Sequence, residues 1–92
     1  MYYLYVLISK KDNNLYIGYS HNLKERISTH MKGKVSSTAN RRPLELIYYE
    51  AHYSQTDALR REQYFKTSKG KSSLQQMLRD SLKAQGYKKL LS

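Results

Sequence analysis

The 92-residue chain has no cysteine and no tryptophan, one proline, one phenylalanine and only seven acidic residues. Without cysteine there is neither a disulfide framework nor a thiolate metal site, which suits a reducing compartment such as the cytoplasm. No apolar run reaches the ~18 residues of a membrane span. The opening stretch MYYLYVLISKK carries its charges after its apolar run, the reverse of a secretory leader. A chain of this length supports one modest core and not two. The expectation is therefore one soluble, intracellular domain over residues 1–86, with a tail at 87–92.

What the chain does have is positive charge and tyrosine. Lys and Arg number 17 against 7 Asp and Glu, a formal net charge of +10. Such a surface attracts polyanions, and a basic domain of this size most often meets nucleic acid. Of the ten tyrosines, most are expected to pack with their hydroxyls at the rim of the core.

Local patterns predict an α+β domain. The aromatic and aliphatic run YYLYVLIS makes Tyr2–Ser9 a strand. A turn at KKDNN leads to a second strand over Leu15–Tyr19, forming a hairpin. Alternation puts Leu4, Val6, Ile8, Leu15 and Ile17 on the core face. Tyr3, Tyr5, Tyr16, Gly18 and Ser20 take the opposite face. Tyr5 and Tyr16 are thus expected to look out on the same side, with open space beside Gly18. Asn22 and Glu25 form a capping-box pattern for a helix striped by Leu23, Ile27 and Met31 and stopped by Gly33.

The segment GKVSSTANRRP reads as a polar loop, and Leu44–Tyr49 as the third strand. Ser54 and Asp57 open a second helix that runs to about Lys69 and breaks at Gly70. A last helix from Ser72 or Ser73 carries Leu74, Met77, Leu78 and Leu82. The order is ββαβαα, a small three-stranded antiparallel sheet flanked by helices, and the tail after Gly86 is expected to fray or dock loosely.

Two features sit oddly in this scheme. Arg26 and His30, four apart, share a helix face, although on spacing alone a solvated arginine and a helix-terminal histidine are the ordinary account. Glu62 shares a helical face with Ala58 and Phe65, so its carboxylate falls in the stripe that faces the protein. A carboxylate there needs a cation, a metal or an open cleft. Arg26 and Arg61 are the candidate ion-pair partners.

With these positions in view, the chain resembles the GIY-YIG nuclease superfamily. The likeness is to its small stand-alone bacterial members, related to the nuclease domain of the excision-repair subunit UvrC. Tyr3-Leu4-Tyr5 stands at the first motif and Tyr16-Ile17-Gly18 at the second. Arg26, His30 and Glu62, the last within ALRREQYFK, stand at the helix positions, and RRPLELIYYE is typical of the stand-alone members. The likeness runs from Tyr2 to about Leu82. Tyr3 replaces the first motif's glycine, and Tyr19 stands where repair subunits carry a lysine.

The resemblance implies metal-dependent hydrolysis of phosphodiester bonds in nucleic acid, with DNA, in repair or recombination, as the first expectation. One Mg²⁺ or Mn²⁺ would be held by Glu62, and Arg26 would stabilise charge on the phosphate. Tyr16 is the first candidate to take the proton from water. Tyr5 would position the water or phosphate, and His30 would share the proton or bind phosphate. Arg41, Arg42, Lys66, Lys69 and Lys71 are candidates for phosphate contacts outside the pocket. A protein partner would supply targeting. The competing expectations are a module of the same fold that binds nucleic acid without cutting it, and an adaptor whose basic surface binds a partner.

Overall fold

The computed structural model describes residues 1–89. Strands β1 (Tyr2–Ser9), β2 (Leu15–Ser20) and β3 (Leu44–His52) form one antiparallel sheet in the order β2-β1-β3. Helices α1 (Leu23–Met31) and α2 (Ser36–Ala39) lie between β2 and β3 in sequence. Helices α3 (Gln55–Phe65), α4 (Ser68–Met77) and α5 (Arg79–Ala84) follow β3. The α+β class and the three-stranded antiparallel sheet are as expected. No helix among the described residues is long and apolar enough to cross a membrane.

The hairpin turn closes with Asn13 at φ 61°, a conformation asparagine tolerates, and Asn13 N–H donates to the Ser9 carbonyl at 2.9 Å. Asn22 caps α1 by accepting from the Glu25 N–H at 3.2 Å, and its own amide reaches the Glu25 carboxylate at 3.1 Å. Gly33, at φ 74°, ends that helix.

Both faces of the sheet are covered. Leu4 and Val6 pack with Phe65, Leu74, Leu78 and Leu82 on one side, and Tyr5, Leu7 and Leu44 pack with Leu23 and Ile27 on the other. The expectation of a single core face needs correction. The side carrying Tyr5 is roofed by α1, and Tyr5 is fully buried rather than looking out. A central strand closed on both faces is a near-continuous apolar run, as YLYVLI is.

Three further departures have local causes. The polar stretch at 33–43 contains α2, a four-residue helix whose start has no side-chain cap. Pairing of β1 with β3 slips between Val6 and Leu7, where Val6 faces Tyr48 and Leu7 faces Leu46. This bulge brings Leu46 and Leu44 to the Tyr5 side, although Tyr48 and Glu50 pair with Val6 and Leu4 on the other. The second helix does not run to Lys69. It ends at Phe65, and Thr67 caps α4 by accepting from the Gly70 N–H at 3.0 Å.

Gly70 therefore lies inside a helix, and a Cβ there would come within 1.8 Å of the Tyr64 carbonyl oxygen. The glycine serves close packing, not interruption. Of the tail, Tyr87 is held by its N–H to the Leu82 carbonyl at 2.9 Å and by Gln75, and Lys88 N–H donates to Asn13. Residues 90–92 of the expected tail lie outside the described residues.

Candidate functional site

Register sets the relation between the two tyrosines. Tyr5 pairs with Gly18 and Leu7 with Tyr16, so the rings share a face on a diagonal, with centroids 6.4 Å apart. The space beside Gly18 is not open. A Cβ at that position would stand 2.4 Å from the Tyr5 hydroxyl and ring, so the missing side chain is what lets Tyr5 lie across β2.

Helix α1 brings Arg26 and His30 down onto this ring. The Tyr5 hydroxyl is 2.7 Å from His30 Nε2, and Arg26 Nε–H donates to the same oxygen at 3.4 Å. His30 is also edge-on to Tyr16, at 5.2 Å between ring centroids. Its other nitrogen, Nδ1, lies 2.7 Å from the Thr38 hydroxyl. His30 is fully buried, not a solvated helix-end residue. Neighbouring Ser37 reaches the Tyr16 hydroxyl at 3.5 Å.

The electrostatics follow from burial beside a guanidinium. Desolvation raises the pKa of Tyr5, opposed by the hydrogen bond from Arg26, while Tyr16 and Glu62 raise it further. Burial, and then the charge of Arg26, hold His30 down at about 4. It is therefore a neutral imidazole at physiological pH. Arg26 stays protonated, its pKa raised first by the hydrogen bond to Tyr5.

Glu62 projects from the buried face of α3 with Ala58 and Phe65, as its spacing predicts. Its charge acts on Tyr5, which ties it to the same site. Neither Arg26 nor Arg61 pairs with it. Lys66, one turn on, donates to Glu62 Oε2 at 3.0 Å. Arg61 instead holds Glu50 of β3 at 3.1 Å, together with Tyr48 and His52. Burial works against that carboxylate's charge, but Arg61, Tyr48 and His52 keep its pKa below the ordinary value.

Among the described residues no group of three or more His, Cys, Asp or Glu gathers that could hold a metal ion. The donor set near Tyr5 is one carboxylate. That suits a hard divalent cation that keeps most of its water and shares a substrate phosphate, and not an ion needing a nitrogen or sulfur cage.

The five cationic candidates are dispersed. Arg41 pairs with Asp12 at 2.7 Å and holds that carboxyl down at about 2. Arg42 donates to the Ala39 carbonyl at 3.0 Å, and Lys66 is engaged by Glu62. Lys69 and Lys71 are exposed at the start of α4, Lys71 at the rim of a cavity of about 330 Å³ with Tyr87 and Gln75. Sequence patterning passed over Thr38 and Ser37, because the segment that delivers them has neither apolar periodicity nor a cap.

The GIY-YIG catalytic domain family model matches residues 1–76. Among similar proteins, UPF0213 protein SH2523 of Staphylococcus haemolyticus is 45% identical over 72% of this chain and 80% of its own. UPF0213 protein CPE1444 of Clostridium perfringens is 36% identical over 97% of this chain and 96% of its own. UPF0213 protein YazA of Bacillus subtilis is 38% identical over 70% and 66%. No solved structure matches the chain. The match over the whole sheet and the helices bearing Arg26, His30 and Glu62 leads to one conclusion: the chain belongs to the GIY-YIG family of nuclease domains.

Proposed function

We propose that the protein is a divalent-metal-dependent endonuclease, acting on DNA in a repair or recombination setting, with residues 1–86 as the nuclease unit. Nuclease-type chemistry, and with it contact to nucleic acid, comes from the family. The observation that carries the finer reading is the convergence of Tyr5, Arg26 and His30 on one hydroxyl, within the electrostatic reach of Tyr16 and the buried Glu62.

In this scheme Glu62 holds one Mg²⁺ or Mn²⁺, which when bound supplies positive charge to the scissile phosphate. Lys66 and the ion compete for the same carboxylate. Arg26 stabilises charge developing on the phosphate oxygens. Tyr16, as its phenolate, takes the proton from the attacking water, its half-buried ring being more exposed than the fully buried Tyr5. Tyr5 orients the water or phosphate. His30 serves Tyr5 as a fixed acceptor, since moving a proton from a phenol whose pKa is raised to an imidazole held near 4 runs uphill.

Lys69 and Lys71 are the best placed of the cationic candidates to hold flanking phosphates, being exposed and close in sequence. The Glu62–Lys66 pair also favours a second reading, a module that binds nucleic acid without cutting, because a neutralised carboxylate no longer repels phosphate.

Nicking of supercoiled plasmid at low salt separates the two. Mg²⁺- or Mn²⁺-dependent nicking that EDTA stops, and that Glu62→Ala reduces by at least ~100-fold, is the expected result for loss of a metal-based site. A folded protein that binds plasmid, branched DNA and RNA but cuts none of them establishes the binding module.

A further inference from the structure

Thr38 has no part in the family motifs matched above, yet it is one of four buried polar or charged residues among the described residues, with Ser9, His30 and Glu62. Its hydroxyl meets His30 Nδ1 at 2.7 Å. The helix that delivers it is a single turn, closed by its own backbone bonds and tied to β1 just past its end. Thr38 N–H donates to the Val35 carbonyl at 3.0 Å, Arg41 N–H returns to the Thr38 carbonyl at 2.9 Å, and Ser9 Oγ–H donates to the Arg41 carbonyl at 2.6 Å. A four-residue helix without a side-chain cap has little stability of its own. These tethers hold the hydroxyl in place.

The direction of each hydrogen bond follows from what a buried group must satisfy. The Tyr5 hydroxyl is fully buried, and its oxygen receives Arg26 Nε–H. Its proton must go to an acceptor, and His30 Nε2, 2.7 Å away, is the one at hand. A neutral imidazole that accepts at Nε2 carries its proton on Nδ1. That N–H then needs an acceptor in turn, which Thr38 Oγ1 provides. The chain runs one way: Tyr5 to His30 to Thr38.

We propose that Thr38 is a positioning residue that fixes His30 as its Nδ1–H tautomer and thereby makes the Tyr5 oxygen an acceptor toward Arg26. The role rests on the nuclease reading above for its use, but not for its detection. With its proton committed to His30, the Tyr5 oxygen can only accept, which suits the Arg26 guanidinium beside it and disfavours an anionic phosphate oxygen. Thr38 thus tells apart two tasks for Tyr5. Tyr5 accepts, as it does from Arg26, and it does not donate to phosphate. Without an oxygen opposite Nδ1, the buried N–H would lose its partner. The ring would then favour the Nε2–H tautomer, and Tyr5 would turn its own proton outward.

The test is ¹⁵N NMR of the histidine side chains in the full chain, where the pattern of ring proton–nitrogen couplings reports which nitrogen is protonated, alongside plasmid cleavage. The wild type and Thr38→Ser, which keeps the oxygen, should show His30 as Nδ1–H. Thr38→Val, which keeps the shape, should shift it to Nε2–H and lower cleavage by roughly tenfold or more, a loss typical of an orienting partner. Thr38→Ser should restore cleavage. An Nε2–H pattern in the wild type overturns the proposal without any variant, as does Nδ1–H retained in folded Thr38→Val. If Thr38→Val does not fold, the wild-type and Thr38→Ser spectra still decide. The tautomer is read without substrate, so absent cleavage would count against the nuclease reading and leave this one standing.

Discussion

At the scale of the residue, the site is built from side chains that also hold the molecule together. His30 is fully buried beside Arg26, and its pKa of about 4 lies below the ordinary 6.5. Below pH 6.5 the unfolded chain binds a proton that the folded chain refuses, so stability rises with pH between about 4 and 6.5 and is level above. The span corresponds to about 3 kcal/mol from this one group at ~1.4 kcal/mol per pH unit. Urea unfolding from pH 4 to 7.5 should show the slope, and His30→Gln should flatten it most clearly between pH 5 and 6.5. Glu50 and Asp12, whose pKa values are lowered, make their own losses only as the pH falls below the ordinary carboxylate range. An unchanged slope in His30→Gln would show that His30 is not held neutral.

At the scale of the element, strands were easier to anticipate than the pieces between them. YYLYVLIS and LYIGY are strand-forming by composition, and Asn22 and Ser54 mark their helices by caps that the structure bears out. The five motif positions were legible as types in order, and the shared face of Tyr5 and Tyr16 by parity. What escaped had non-local causes. The burial of Tyr5 depends on where α1 lands, the bulge at Val6 and Leu7 breaks simple alternation, and α2 exists through tethers to β1 and its own ends.

Gly70 misled because a glycine between lysines looks like a stop, whereas it sits where α4 meets the end of α3. Helix propensity alone favours Gly70→Ala by up to ~1 kcal/mol. The contact forbids it, since the new methyl would lie 1.8 Å from the carbonyl oxygen of Tyr64, which is backbone and cannot rotate away. The substitution should cost ~3 kcal/mol or more, the upper end of overpacking. Chemical denaturation decides, and a stabilised Gly70→Ala would refute the packing account.

At the scale of the whole molecule, the +10 net charge governs how the protein meets a polyanion. Affinity for duplex DNA should fall linearly in log–log terms with salt, at about −0.9 per phosphate neutralised. Replacing Lys69 and Lys71 together by alanine should make that slope shallower by about 2 units. Replacing Arg41, already bound to Asp12, should change it less. Fluorescence anisotropy across salt concentrations measures both, and an unaltered slope in the double variant would remove those lysines from the interface. The central position of β1 has a further consequence. Tyr5 is laddered to Gly18 on one side and Tyr49 on the other, with packed helices above and below. Its amide proton can exchange with solvent only when the entire cooperative unit opens. The backbone that carries the central hydroxyl is therefore at the most protected end of the molecule's range of local stabilities, and slow exchange at Tyr5 should mark it.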